Sequence, residues 1–423
     1  MSFVDKVSEF VERRIAPPLI KISENRYIDS IQKAFMAFTP ILLIGSLFIL
    51  VAALPIPAWT KLIAPISGKL WGAVNSTFGL MAIGPSFGIG YYLASYYHKK
   101  GSDIDPISAA LISLFSFLIL FPVGATKDNT LFIPADNLGG TGIFSAIIVA
   151  IISVEIYRFF INKKITIRMP EGVPPMVADA FTALIPGFAA LLLWWIIRQI
   201  LNVNVPVVIM NAFKPLVAAG DNIVVVSAGF LLDRLLWFVG IHGSNVVASV
   251  LQPIWSTMLA QNVAAAHAGL PIPHIGSAEF LNYFPRVSML PLIIWMLFSK
   301  DAGLKKLGQL AFPASIFNIA EPIIYGLPLV LNPFLFIPWV LGYLFLVVFD
   351  YAVVAAHLVT VPYISIPWTT PGPLMAYFGT GGDWRALILS ILNYIIMALI
   401  WYPFFKVYER SRLKKEEEIS INK

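Results

Sequence analysis

Apolar stretches of about 20 residues recur along the chain, and at 1.5 Å of rise per helical residue each matches the hydrocarbon thickness of a bilayer. They predict membrane helices over approximately 34–54, 72–97, 106–122, 142–162, 181–201, 222–241, 245–267, 286–299, 334–357 and 386–407. A further apolar stretch, 309–331, is interrupted by Pro313, Pro322, Gly326 and Pro328. In lipid every backbone group freed by such breaks needs a partner, so this segment belongs inside protein or beside a wet cavity. Residues 203–221 contain two prolines and read as a connector or surface-lying helix, which places a domain boundary there. The polar and apolar positions alternate differently near the N-terminus. Phe3, Val4, Val7, Phe10 and Val11 form one stripe opposite Asp5, Lys6, Glu9, Glu12 and Arg13, as in an interfacial amphipathic helix or a cap on the cytoplasmic face.

Composition sharpens this picture. Of 423 residues, 58% are hydrophobic and 12% charged, against roughly 25% charged in an ordinary soluble domain. With a mean hydropathy of +0.80, the chain reads as an all-α polytopic membrane protein. It contains no Cys, which excludes disulfides, Cys-ligated metals, Fe–S clusters and thiol chemistry in this sequence. The net charge of +6 sits in short loops and at the termini, and so speaks of membrane orientation and not of nucleic-acid binding. Pro17-Pro18 and scattered charges within the first 32 residues do not resemble a cleaved signal peptide.

Basic residues orient the spans. Arg13, Arg14, Lys21 and Arg26 precede the first; Lys406, Arg410, Arg412, Lys414 and Lys415 follow the last, so both termini are expected in the cytoplasm. Lys99-Lys100, Arg158 with Lys163, Lys164 and Arg168, and Lys300 with Lys305 and Lys306 mark three further cytoplasmic loops. Three apolar segments then remain before the C-terminus, so one must enter and leave on the same side, and 309–331 is the natural choice. About ten transmembrane helices plus re-entrant hairpin segments follow from this count. The resulting division is 1–33 as an interfacial segment, 34–202 and 222–407 as two transmembrane domains joined by 203–221, and 408–423 as a charged tail.

An ionisable side chain at membrane depth costs several kcal/mol and marks a functional site by default. Glu321, in Asn318-Ile319-Ala320-Glu321-Pro322-Ile323, lies in the interrupted segment and is suited to accept sugar hydroxyls, take a proton or coordinate a cation; capping the backbone freed beside Pro322 is the structural alternative. His242, in Trp237-Phe238-Val239-Gly240-Ile241-His242-Gly243-Ser244-Asn245, can donate and accept one hydrogen bond each, or serve as a satisfied core histidine. Trp237 and Trp368 offer indole planes on which the C–H faces of a pyranose pack, although single tryptophans more often anchor or fill. Asp233-Arg234 reads as structural, with partners elsewhere; Glu279 and Asn282 fall near an outer loop, and Asp350 late in its span. No Walker A, HExxH or nucleophile-elbow pattern occurs, and no metal or cofactor site is expected.

Across almost its whole length the chain resembles the membrane-embedded IIC component of the bacterial sugar phosphotransferase system, in the lactose/cellobiose/diacetylchitobiose family. The resemblance rests on Phe38-Thr39-Pro40-Ile41 with Gly45-Ser46-Leu47-Phe48, on Leu138-Gly139-Gly140-Thr141-Gly142-Ile143-Phe144, and on Val173-Pro174-Pro175-Met176-Val177. It rests further on Gly240-Ile241-His242-Gly243, on Asn318 to Ile323 with Gly326-Leu327-Pro328, and on Trp368-Thr369-Thr370-Pro371 with Gly381-Gly382-Asp383-Trp384-Arg385. A departure lies at Gly140-Thr141, where many relatives carry a Thr-Lys pair.

The resemblance implies a homodimer in the bacterial plasma membrane, with the N-terminal half at the dimer interface and the C-terminal half carrying the sugar. It implies that His242 and Glu321 match the family's essential histidine and glutamate, near the hydroxyl to be phosphorylated. It also implies that the phosphoryl donor is a cysteine on a cytoplasmic IIB protein, charged through IIA, both separate polypeptides here. The expected function is binding and translocation of a β-linked disaccharide, cellobiose or N,N'-diacetylchitobiose, and presentation of its 6-hydroxyl, with Trp237, Trp368, His242, Glu321, Asn245 and Asn318 as binding residues. An ion-coupled secondary transporter with Glu321 as proton or Na⁺ site is the competing expectation.

Overall fold

The structure, a computed structural model, describes residues 9–10, 13–14, 16–53, 57–135, 137–167, 169–170, 172–327 and 329–421. Phe3, Val4, Val7 and Val11 of the expected amphipathic stripe lie outside the described residues. The first described helix of full length is α1 (Ala16–Ser23).

The described residues are helical nearly throughout, with one two-stranded ribbon of β1 (Gly124–Ala125) and β2 (Leu131–Phe132) paired antiparallel. Among the described residues, five helices are long and apolar enough to cross a membrane: Arg26–Ala52, Gly140–Asn162, Met176–Ile200, Pro338–Ala355 and Trp384–Lys414. A sixth candidate is the pair Val205–Gly220 and Ile223–Phe238, bent by 73°. Large apolar side chains such as Met176, Phe188 and Leu399 stay exposed on these helices. Such a surface suits hydrocarbon as solvent, where helices satisfy every backbone group internally.

The first half comprises α2 (Arg26–Ala53), α3 (Pro57–Ile63), α4 (Ser67–Thr77), α5 (Ile83–Lys99), α6 (Pro106–Leu118), α7 (Ile143–Asn162) and α8 (Pro175–Trp195). Helix α5 packs against α2, α6 and α7. Pro106 opens α6 with its φ already helical, and Asp105 caps the helix by accepting from the Ser108 N–H at 2.7 Å. The stretch 72–97, expected as one span, is two helices. Its apolar average hides a turn at residues 78–82, where the Ala82 N–H leaves the helix to donate to the Leu138 carbonyl at 2.8 Å.

The second half comprises α9 (Val205–Gly220), α10 (Ile223–Phe238), α11 (Gly243–His267), α12 (Ala278–Tyr283), α13 (Leu290–Leu297), α14 (Ala302–Ile316), α15 (Glu321–Gly326), α16 (Tyr343–Ala355), α17 (Gly372–Gly379) and α18 (Trp384–Ile421). Residues 203–221 do form a helix, α9. The expected span 286–299 is helical only over α13, with Pro291 in its first turn. In the interrupted segment, Pro313 is accommodated inside α14, and the break falls at 317–320, where Asn318 adopts φ 61°. The short helices α12, α15 and α17 pack inside the protein. Glu279 and Asn282, read from sequence as near an outer loop, lie on α12, with Glu279 buried.

Beyond the spans, Asp383 accepts from the Thr360 N–H at 2.9 Å, from its hydroxyl at 2.8 Å, and from the Arg385 guanidinium at 2.9 Å. Burial alone pushes the Asp383 carboxyl up, but Arg385 and Thr360 outweigh it and hold it at about 2, below the ordinary 3.8. A carboxyl depressed by folding supports the fold above its unfolded value and loses that support as pH falls through the folded one. The thermal midpoint of the detergent-solubilised protein is expected to fall on this account only below about pH 4. Asp383→Asn is expected to lower the midpoint at neutral pH and to flatten that acid limb.

Candidate functional site

A cavity of about 500 Å³ lies between α2, α10, α11, α12 with the segment after it, and the loops around Asn318 and Trp368. Its volume falls in the range of about 300–1,000 Å³ typical of small-molecule sites. Trp237, His242, Asn245, Asn318 and Trp368, named from the sequence, all line it. The side chain of Glu321 lies outside the described residues, but its backbone opens α15 between Ala320 and Ile324, both lining residues.

The floor is built where α10 turns into α11. Gly240 adopts φ 83°, and the Ile241 N–H folds back to the Leu236 carbonyl at 2.9 Å. His242 then caps α11, its Nδ1 accepting from the Asn245 N–H at 3.3 Å. An imidazole whose Nδ1 accepts in this way has Nε2 as its donor. Gly243 is required by the approach of the two helices: a Cβ there would stand 2.1 Å from the Asp233 carbonyl oxygen.

Beneath His242 runs a polar chain. The His242 and Trp237 rings lie 4.3 Å apart between centroids, and the Trp237 indole donates to Ser244 Oγ at 3.2 Å. Ser244 donates to Asp233 Oδ1 at 2.8 Å, while Asp233 Oδ2 accepts from Arg234 at 2.9 Å and from Arg286 at 3.0 Å. Arg286 also donates to Asn282 Oδ1 at 2.6 Å. Asp233 thus pairs both with its sequence neighbour and with a residue 53 positions away, so the expectation of partners elsewhere is half of the answer. The Arg234 guanidinium lies over Trp339 at 4.5 Å from the ring centroid, a cation–π contact inside the wall.

The two indoles differ in use. Trp237 is 5% exposed and supports the imidazole, whereas Trp368 is 59% exposed and offers an open face. Asn318 donates both amide N–H bonds, to the carbonyls of Trp368 at 2.8 Å and Thr370 at 2.7 Å, which joins the bend before Glu321 to the loop that carries Trp368. Its left-handed φ suits an asparagine held by its own side chain.

Arg286, Asn282, Arg234, Gln252 and Trp255 line the cavity without having been named as binding residues from the sequence. Arg286 sits at the edge of an apolar run, where an arginine reads as an interface anchor. The available signal was an unequal count, two arginines against one aspartate in and beside apolar runs. Among the described residues, no group of three or more His, Asp or Glu is placed to hold a metal ion.

The family model "Phosphotransferase system, EIIC" matches residues 32–342. The chain is 37% identical to the PTS system cellobiose-specific EIIC component of Geobacillus stearothermophilus over 98% of this chain and 97% of that one. It is 33% identical to the lichenan permease IIC component of Bacillus subtilis (strain 168), over 99% and 97%. Among solved structures it is similar to the transporter ChbC, the IIC component of the N,N'-diacetylchitobiose-specific phosphotransferase system, with a TM-score of 0.88 at 33% identity, over 96% of this chain and 99% of that one.

Proposed function

The chain belongs to the EIIC family of the phosphotransferase system, and from that premise we propose that it is a permease for a β-linked disaccharide, cellobiose or N,N'-diacetylchitobiose. As a member of that family it is a multi-pass plasma-membrane sugar permease that works with IIB. The observation that carries the finer reading is one cavity holding an open indole, Trp368, together with amide, hydroxyl and imidazole groups from distant segments. Sugars need both: a flat apolar face for ring C–H groups and polar groups for the hydroxyls around the edge.

In this reading His242 Nε2–H donates to the sugar, and Glu321 orients and deprotonates the 6-hydroxyl while a IIB phosphocysteine supplies the phosphoryl group. The phosphorylated product carries two charges and cannot recross the apolar path, which traps it inside. The same proposal takes the protein as a homodimer with cytoplasmic termini, residues 34–202 forming its interface and 222–407 carrying the sugar. IIA then charges IIB.

Binding of cellobiose, N,N'-diacetylchitobiose and lactose to the detergent-solubilised protein tests the substrate class, with Glu321→Ala alongside. Selective binding of one of the first two, weakened in Glu321→Ala, is expected; equal indifference to all three overturns the disaccharide assignment. In proteoliposomes, uptake is expected to require phosphorylated IIB inside and to ignore imposed pH and Na⁺ gradients. Gradient-driven uptake without IIB would establish the ion-coupled alternative instead.

Trp368→Ala is expected to weaken binding of the preferred disaccharide by about 10-fold, the loss of one aromatic face, while Trp368→Phe retains most of it. Isothermal titration of the two variants reads the difference.

A further inference from the structure

We propose that Arg286 is the phosphoryl-binding group of this cavity, holding the phosphoryl moiety during its transfer to the sugar and afterwards as the 6-phosphate of the product. The inference rests on the disaccharide reading above and assigns a task that the reading leaves open. A neutral disaccharide presents hydroxyls, ring oxygens and C–H faces, none of which needs a formal charge. Yet among the described side chains that line the cavity, the formally charged ones are Arg234 and Arg286. Charge at membrane depth is costly, so a surplus cation calls for a ligand that repays its desolvation.

The two arginines are not equivalent. Both donate to the same oxygen, Oδ2 of Asp233, whose side chain is 1% exposed behind the wall. Arg234 is enclosed with it, beneath Trp339, Phe230 and Tyr343, and these contacts account for its charge. Arg286 shares the one carboxylate and is 31% exposed. One terminal nitrogen donates to Asp233 and the other to Asn282, which leaves each a second N–H, while its Nε is buried without a partner. The guanidinium is therefore fixed at two points and still has donors to spend. Planar, paired N–H groups are the geometry that matches two oxygens of a phosphoryl group, and their prior fixation removes the cost of ordering them.

The step balances without a further reactant. The S–P bond of the IIB phosphocysteine breaks as a P–O bond forms to the sugar's 6-oxygen. Sulfur leaves as thiolate, and the hydroxyl proton passes to Glu321. The phosphoryl oxygens carry negative charge before, during and after transfer, and Arg286 faces that charge throughout.

The test compares wild type, Arg286→Gln and Arg286→Lys in three readouts: cellobiose binding, phosphorylation of cellobiose by phosphorylated IIB, and binding of cellobiose 6′-phosphate. Arg286→Gln is expected to bind cellobiose within about threefold of wild type and to lose about 100-fold in phosphorylation, as when one fixed donor to developing charge is removed. Binding of cellobiose 6′-phosphate is expected to fall by about 10-fold or more in the same variant, with Arg286→Lys between the two. Arg286→Lys carries the test alone if the Gln variant does not fold, its expected mark being weaker phosphate binding at unchanged cellobiose affinity. Phosphorylation at the wild-type rate in Arg286→Gln, or equal loss of the neutral and phosphorylated sugars, overturns the assignment while the disaccharide reading stands. A wild type that binds no disaccharide overturns both.

Discussion

Glu321→Gln is expected to leave disaccharide affinity within a few-fold of wild type and to reduce phosphorylation of the bound sugar by about 10² to 10⁴, the range for removal of a positioned general base. The backbone supports the expectation: Glu321 opens α15 between two cavity-lining residues, just after the bend that Asn318 locks. Glutamine keeps the length and one acceptor oxygen but cannot take a proton at neutral pH, so shape and chemistry separate in this one variant. The measurement pairs equilibrium binding with single-turnover phosphoryl transfer from phosphorylated IIB. If binding vanishes while residual bound sugar is phosphorylated at the normal rate, Glu321 is a binding residue and not a base.

The second large effect concerns folding. Gly243→Ala is expected to cost about 3 kcal/mol or more, because the new methyl overlaps main chain and not a flexible side chain. Its Cβ would meet the Asp233 carbonyl oxygen at 2.1 Å and the carbonyl carbon at 2.8 Å, so α10 and α11 must separate. That separation opens the Ser244 to Asp233 hydrogen bond of 2.8 Å and the Trp237 to Ser244 bond of 3.2 Å, and with them the seat of His242. The expected result is a thermal midpoint lowered by many degrees and loss of sugar binding in whatever folds. Gly72→Ala in α4, where a methyl meets nothing within 4 Å, serves as the control and is expected to be neutral or slightly stabilising. Equal midpoints for the two variants would remove close helix approach as the reason for the glycine.

The residues of the cavity were unevenly legible in the sequence, for physical reasons. Trp237, His242 and Asn245 share one stretch, and the small residues around the histidine are themselves the mark of a close helix approach. Asn318 and Trp368 were legible because polar groups and prolines interrupted apolar sequence there. Arg286 and Asn282 were not, since residues 271–286 contain the charge and the prolines of an exposed loop. Nothing local in them says that the segment folds inward; that follows from a carboxylate on α10, far away in sequence. Hydropathy has the same blind spot in the fold. Averaging reads 72–97 as one span because the turn at 78–82 is itself apolar; and of the four interruptions read in 309–331, Pro313 is tolerated inside α14, which yields only at Phe317.

The paired bonds from Asn318 gear one end of the cavity to the other. Its side chain grips the main chain on either side of Thr369, while its own backbone stands three residues before Glu321. A sugar ring that shifts the Trp368 loop must either stretch two hydrogen bonds or carry Asn318, and so the start of α15, along with it. In the proposed function, fit at the indole would thereby be felt at the Glu321 end. Analogues that seat poorly on Trp368 should turn over slowly even at saturation, so discrimination among sugars would show in the rate of the bound state as well as in its occupancy.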